Sequence, residues 1–243
     1  MTAPILSTRG LSRSFHGLQA VADVDFDLPP NQIRALIGPN GAGKTTFVSM
    51  LIGRIPASAG TIRFDGAEIT DLPAHARVAR GMAYTFQITS VFSRLTAHEN
   101  VALAARRRLG AARGAVDEAV MDALSRTGLA GRAGDMAADL SYGHQRLLEI
   151  AMGLAQKPRL MILDEPTQGL AETEIASFKR LIRDLAAETT ILLIEHNMSV
   201  VMELADRITV LNFGQVLAEG TPAQIHANAE VQAAYLGTGV SDA

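Results

Sequence analysis

The chain has 243 residues, no cysteine, and a net charge of −3 from 22 basic and 25 acidic side chains. The missing thiols exclude disulfides and zinc thiolate sites, and the lack of a cationic excess does not point to nucleic acid. The longest uncharged run, residues 81–93, is 13 residues long and includes Thr, Gln and Ser, too short for the ~20 apolar residues of a membrane-spanning helix. The amino terminus lacks the basic start and apolar stretch of a secretory signal, so any membrane role is expected to come through a partner.

In chain order, residues 5–15 and 21–28 alternate loosely between apolar and polar. They predict two strands around a turn at His16-Gly17, with a second turn at Pro29-Pro30-Asn31. Residues 33–37, Ile-Arg-Ala-Leu-Ile, read as a buried strand, and the residues from Thr46 onward as the first turns of a helix. Between them lies Gly38-Pro39-Asn40-Gly41-Ala42-Gly43-Lys44-Thr45, which satisfies G-x-x-x-x-G-K-[ST]. Strand, glycine-rich loop and helix together let backbone N–H groups and the positive end of a helix surround a phosphate chain. Gly41 and Gly43 permit close backbone approach. Lys44 is expected to reach the β- and γ-phosphates and the Thr45 hydroxyl to meet Mg²⁺, with Thr46 completing the loop. The expectation is a protein that binds a nucleoside triphosphate.

Residues 61–64 followed by Asp65-Gly66 predict a strand entering a hairpin, and residues 82–86 a further short strand. From about residue 96 to 157 the sequence is alanine-rich and predicts a helical insert, broken near Gly110, Gly128 and Gly131. The cluster Arg106, Arg107 and Arg108 is read as a solvated helix face. Residues 160–163 and 191–194 are continuous apolar runs suited to strands covered on both faces. Between them Ile175, Phe178, Leu181, Ile182 and Leu185 share one helical face, which makes a βαβ unit. Residues 207–212 and 215–219 predict a hairpin around Phe213-Gly214. Thr221-Pro222-Ala223-Gln224 fits a capping box with Pro at the first helical position, and a short helix over 230–236 closes the chain. The expected organisation is one domain over 3–236, with 96–157 inserted, and a tail over 237–243.

Asp164 and Glu165 follow the apolar run 160–163, at the carboxyl end of a strand, where ligands of open α/β sheets sit. Asp164 is placed to hold Mg²⁺ through water. Glu165, one residue on, is expected to point elsewhere by strand alternation, towards a water attacking the γ-phosphate.

A third motif, Leu140-Ser141-Tyr142-Gly143-His144-Gln145, completes a pattern that resembles the ATP-binding cassette (ABC) ATPases, specifically the nucleotide-binding subunit of a transporter. The family form is Leu-Ser-Gly-Gly-Gln; Ser141, Gly143 and Gln145 fit, while Tyr142 and His144 depart from it. The resemblance implies an α/β P-loop NTPase fold with a mixed RecA-like core, an N-terminal antiparallel β subdomain and a helical subdomain. It also implies a homo- or heterodimer with two ATP molecules at the interface. Each ATP is expected to be bound by one subunit's Gly38–Thr46 and capped by the other's Ser141, Gly143 and Gln145. Ser141 also suits a helix N-cap, and Gly143 leaves room for a phosphate. By the same resemblance Phe15 stacks on adenine, Gln87 touches Mg²⁺ and water and senses the membrane partner, and His196 contacts the γ-phosphate. The implied catalytic set is Glu165, His196, Lys44 and Gln87, and the implied Mg²⁺ set Thr45, Gln87 and Asp164. Ala171 stands where the family commonly has an aspartate that links the two sites of a dimer.

Within the family, Tyr84-Thr85-Phe86-Gln87, Leu140-Ser141-Tyr142-Gly143, Ile194-Glu195-His196-Asn197-Met198, Leu217-Ala218-Glu219-Gly220-Thr221-Pro222 and Ala234-Tyr235-Leu236-Gly237 resemble the ATPases of importers for branched-chain and other hydrophobic amino acids. Urea and short-amide importers and the ATPase of lipopolysaccharide export share much of this pattern. The implied partners are permease subunits and, indirectly, a periplasmic solute-binding protein, with the chain peripheral on the cytoplasmic face of the cell membrane. A soluble non-transport ABC ATPase is the competing class, and it lacks support here because the chain has neither a long coiled-coil insertion nor a second such domain.

Overall fold

The computed structural model describes residues 3–85, 90–110 and 112–236. In chain order the elements are β1 (Leu6–Phe15), β2 (Leu18–Leu28), β3 (Ile33–Ile37), α1 (Lys44–Leu51), β4 (Ala59–Phe64), β5 (Ala67–Glu68), α2 (Ala74–Ala79) and β6 (Met82–Thr85). There follow α3 (Ala97–Leu109), α4 (Arg113–Arg126), α5 (Tyr142–Leu154), β7 (Leu160–Asp164), α6 (Glu172–Ala186) and β8 (Thr190–Ile194). The chain ends with α7 (Met198–Leu204), β9 (Arg207–Asn212), β10 (Gln215–Gly220), α8 (Pro222–His226) and α9 (Ala229–Leu236). Two compact units result: Met1–Arg80 with Ala186–Ala243, and Gly81–Leu185. The second unit is wider than the helical stretch expected from composition, because it also takes in β6, β7 and most of α6.

In the first unit an antiparallel sheet runs β2-β1-β4-β5, and a second run of strands is ordered β10-β9-β3-β8. β3 lies parallel to both β8 and β9. Every residue of β3 and β8 is buried, as continuous apolar strands require when both faces are covered. Arg34 is the charged exception in β3, 3% exposed. Its guanidinium donates to Thr209 Oγ1 at 2.9 Å, to Glu219 and to the Asp27 carbonyl at 3.1 Å, and it lies 5.4 Å from the Phe26 ring centroid. A buried cation is tolerable only when so fully paired, and this one ties β3 to β2, β9 and β10.

Arg77 of α2 performs a similar task at the far end of α1. It donates to the carbonyls of Met50 at 2.6 Å and Leu51 at 2.7 Å, last-turn acceptors that have no partner within the helix. The terminal helices complete this unit: Ile225 of α8 and Val231 of α9 pack with Ala35 and Ile37 of β3 and Val210 of β9, and Tyr235 lies against the same cluster.

In the second unit β6 and β7 pair in parallel, Met82 opposite Leu160 through Thr85 opposite Leu163. The helical breaks fall where glycines predict them, at Gly110 after α3 and around residues 128–131 after α4. Thr96 starts α3 with a full capping box closed by Glu99. Asn100, wholly buried, fastens the loop before it: its Oδ1 accepts from Phe92 N–H, and its Nδ2 donates to the Phe92 and Thr96 carbonyls. Along α6 the expected apolar face is buried at Phe178, Leu181, Ile182 and Leu185. Ile175, in the first turns, is only partly covered.

Candidate nucleotide-binding and hydrolysis site

The phosphate loop leaves β3 at Ile37 and enters α1 at Lys44. Gly43 is the helix N-cap with φ 96°, and no side chain caps the helix, a helix start of the kind that suits an anion. A Cβ at Gly43 would strike the Ala20 carbonyl and approach Gly214 Cα at 3.3 Å. The loop is also fastened from behind: Gly214 N–H donates to the Ala42 carbonyl at 3.0 Å, and Ala22 N–H to the Gly214 carbonyl at 2.8 Å. The β9–β10 turn and the start of β2 thus hold the loop's shape. Lys44, 6% exposed, folds over the loop, and its Nζ donates to the carbonyls of Gly38 at 2.6 Å and Pro39 at 3.0 Å. Asn40, Gly41 and Thr45 are exposed and Thr46 is half-buried.

His196 stands beside this loop by register. Leu36 of β3 pairs with Ile194 of β8, so Gly38 and His196 each lie two residues beyond a paired position at the same end of adjacent parallel strands. The His196 segment is ordered by Glu195, which is 3% exposed and accepts the backbone N–H groups of His196 at 2.9 Å and Asn197 at 3.0 Å. Asn197 in turn caps α7 by accepting from Ser199 N–H and Val200 N–H. Phe15 ends β1 at 36% exposure, with the Arg13 guanidinium 4.5 Å over its ring. One aromatic face therefore already carries a cation.

Two residues to which the sequence motifs assign no role at the nucleotide also shape this unit's site. Glu195 is one. The other is Tyr235 of α9, whose phenol is pushed up to about 12 by burial, against the opposing pull of a hydrogen bond with the Gly38 backbone. The closing Ala234-Tyr235-Leu236-Gly237 was its only sequence signal, read there as a mark of subfamily.

In the second unit β7 ends at Asp164, 5% exposed. Its Oδ2 accepts the Tyr84 hydroxyl at 2.7 Å, and its backbone N–H reaches Thr85 Oγ1 at 3.4 Å. The strand has already ended at Glu165, which adopts φ 47°. Strand alternation therefore does not set its direction; a left-handed turn does, with Gln168 N–H donating to the Glu165 carbonyl at 3.2 Å. Such a conformation costs a non-glycine residue about 1–3 kcal/mol and is characteristic of functional positions.

Ser141 is the N-cap of α5, accepting from His144 N–H and lying 2.9 Å from His144 Nδ1. Gly143 does not face open room for a phosphate: a Cβ there would strike the Glu174 carboxylate. Glu174 Oε2 also accepts the Ala171 N–H at 2.9 Å, so the position that commonly carries an aspartate is held through its backbone. Gln145 turns back, donating from Nε2 to the carbonyls of Ala137 at 2.9 Å and Leu140 at 3.2 Å. It braces the loop before α5. A cavity of about 260 Å³ between α5 and α6 is lined by Gly143, His144, Leu147, Leu170, Thr173 and Glu174, among others. Gln87 lies outside the described residues.

Among the described residues, no helix is long and apolar enough to cross a membrane. The ABC transporter family pattern matches residues 21–168, and that of the branched-chain amino acid ATP-binding cassette transporters matches residues 215–241. The chain is 42% identical to the high-affinity branched-chain amino acid transport ATP-binding protein BraF of Pseudomonas aeruginosa, over 98% of this chain and 99% of that protein. It is 33% identical to the lipopolysaccharide export system ATP-binding protein LptB of Escherichia coli, over 96% and 97%. A crystal structure of the ADP conformation of an ATP-binding cassette of an ABC transporter superposes with a TM-score of 0.88 at 25% identity, covering 97% of this chain and 100% of that one. The chain belongs to the ABC transporter family, as one of its ATP-binding, ATP-hydrolysing subunits.

Proposed function

We propose that this ATPase powers the import of branched-chain amino acids, working as a dimer with itself or a related ATPase on the cytoplasmic face of permease subunits fed by a periplasmic solute-binding protein. The observation that carries the reading is the segment 215–241, which matches the pattern of the branched-chain amino acid ATP-binding cassette transporters. The higher identity to BraF than to LptB supports it and weighs against lipid export.

The roles follow from the chemistry of the groups. Lys44 now shares two neutral carbonyls; phosphate oxygens are stronger, charge-assisted acceptors, so a triphosphate draws its ammonium off them. The uncapped N-terminus of α1 supplies amide donors, and His196, exposed beside the loop, a donor to the γ-phosphate. Among the described residues no cluster of His, Cys, Asp or Glu is rich enough to bind a metal alone. That suits Mg²⁺, which keeps waters and phosphate oxygens in most of its six positions and takes one or two hard oxygens from the protein. Thr45 would meet that need directly and Asp164 through water, with Gln87, and the bound ion would supply neutralisation of phosphate charge. Glu165 orients the attacking water and accepts its proton as the bond from the γ-phosphorus to the ADP oxygen breaks. Phe15 offers its ring to the adenine.

Ser141, Gly143 and Gln145 of each subunit cap the nucleotide of the other. Glu174 lies against Gly143, and a carboxylate repels a phosphate, so closure requires Glu174 to withdraw. ATP favours the closed dimer because only that state completes the ring of donors.

The test is uptake of radiolabelled leucine in the source cell. Deleting this chain should abolish transporter-dependent uptake, wild type should restore it, and Glu165→Gln should bind ATP yet fail to restore it, with turnover down about 10²–10⁴-fold. Undiminished leucine uptake in the deletion strain contradicts the assignment.

A further inference from the structure

Asp164 is assigned above to the divalent cation, and the same carboxylate is held by Tyr84, a residue with no part in the three nucleotide motifs. β6 and β7 run parallel with Tyr84 opposite Ile162, so the phenol leans along the strand to reach Asp164 two residues further on. The hydroxyl lies 2.7 Å from Oδ2, the short distance of a bond from O–H to an ionised acceptor. Asp164 is 5% exposed, and a carboxylate so far from bulk water needs such a donor. Its backbone is steadied from the same strand by Thr85 Oγ1.

We propose that Tyr84 is a positioning residue for the cation: its hydroxyl fixes the plane and rotamer of the Asp164 carboxylate, so that the carboxylate meets the water shell of the metal in a metal–nucleotide already ordered. The inference rests on the reading of Asp164 as the cation's residue. It matches how outer partners act at metal sites generally, where a hydrogen bond to the ligating group sets its orientation and its loss lowers metal affinity about 10–100-fold. The phenol is suited to the task because it stays protonated at neutral pH. It donates one bond and leaves the carboxylate its charge.

The experiment is calorimetric titration of wild type and Tyr84→Phe with a non-hydrolysable ATP analogue, once with Mn²⁺ and once in EDTA, with thermal unfolding of both proteins. Phenylalanine keeps the ring and removes the hydroxyl alone. The expected result is equal affinity for the metal-free analogue and an affinity for the Mn²⁺ complex about tenfold weaker in the variant. Equal Mn²⁺ enhancement in both proteins overturns the proposal while leaving Asp164 with its role. So does an equal loss with and without metal, which marks Tyr84 as a structural residue only. No Mn²⁺ enhancement in wild type removes the assignment of Asp164, and the proposal falls with it.

Discussion

The phosphate loop and the Leu140–Gln145 motif carry comparable functional weight but are built in opposite ways. The loop is shaped by its own unit: Gly214, Ala20 and Ala22 hold it from behind, and Lys44 already lies over it. The second motif spends its residues on its own helix. Ser141 caps, Gln145 braces the preceding loop, and Gly143 accommodates Glu174. A site that binds its ligand alone has its backbone shape in a single chain, and only the Lys44 side chain is left to move onto the phosphates. On the proposed reading the second motif caps the nucleotide of another subunit, and it would take up its binding arrangement only when that subunit arrives.

This contrast is broken most strongly at Gly143. In Gly143→Ala the added methyl meets the Glu174 carboxylate, the end of a flexible side chain that can swing aside, so the clash offsets the gain of about 0.5–1 kcal/mol that alanine has over glycine inside a helix. With Glu174→Ala as background the same methyl meets no carboxylate and the helix gain should appear in full, a coupling visible in a thermal-unfolding double-mutant cycle. If the two substitutions are additive, Glu174 does not occupy the space beside Gly143. ATPase activity that stays low in the stable double variant would sharpen the assignment of Gly143 to the other subunit's phosphate.

A smaller effect sits behind the phosphate loop. The Tyr235 phenol is raised from 10.0 to about 12, so the fold favours its neutral form. Its contribution is fully present below pH 10 and is lost as pH climbs from about 10 through about 12. Absorbance titration should show a phenol ionising near pH 12 that is absent in Tyr235→Phe, and the variant should lose less stability across that window. Titration of every tyrosine near pH 10 would mean that α9 does not cover the loop.

The same contrast explains what was legible in the sequence. The hairpin turn at His16-Gly17, the strand before Gly38, the helical breaks at the glycines and the Thr221–Gln224 capping box are local, each written in a few consecutive residues. Asp164 was legible because an apolar run followed by acids marks a strand end. Glu165's direction was not, because one residue past the strand a left-handed turn replaces alternation. Tyr84 and Asp164 are 80 residues apart, and neither that pairing nor those of Tyr235 with Gly38 and Glu174 with Gly143 leaves a periodic trace. The inward turn of Gln145 is a rotamer, which no spacing encodes.

The central claim is that a magnesium nucleotide binds in the loop from Gly38 to Thr46 through Lys44. The most direct test is calorimetry of Mg²⁺–ATP against wild type and Lys44→Ala, with thermal unfolding showing both folded. The account predicts saturable binding at one site per wild-type chain and none measurable in the variant; absent binding in wild type, or equal affinity in the two, would contradict it.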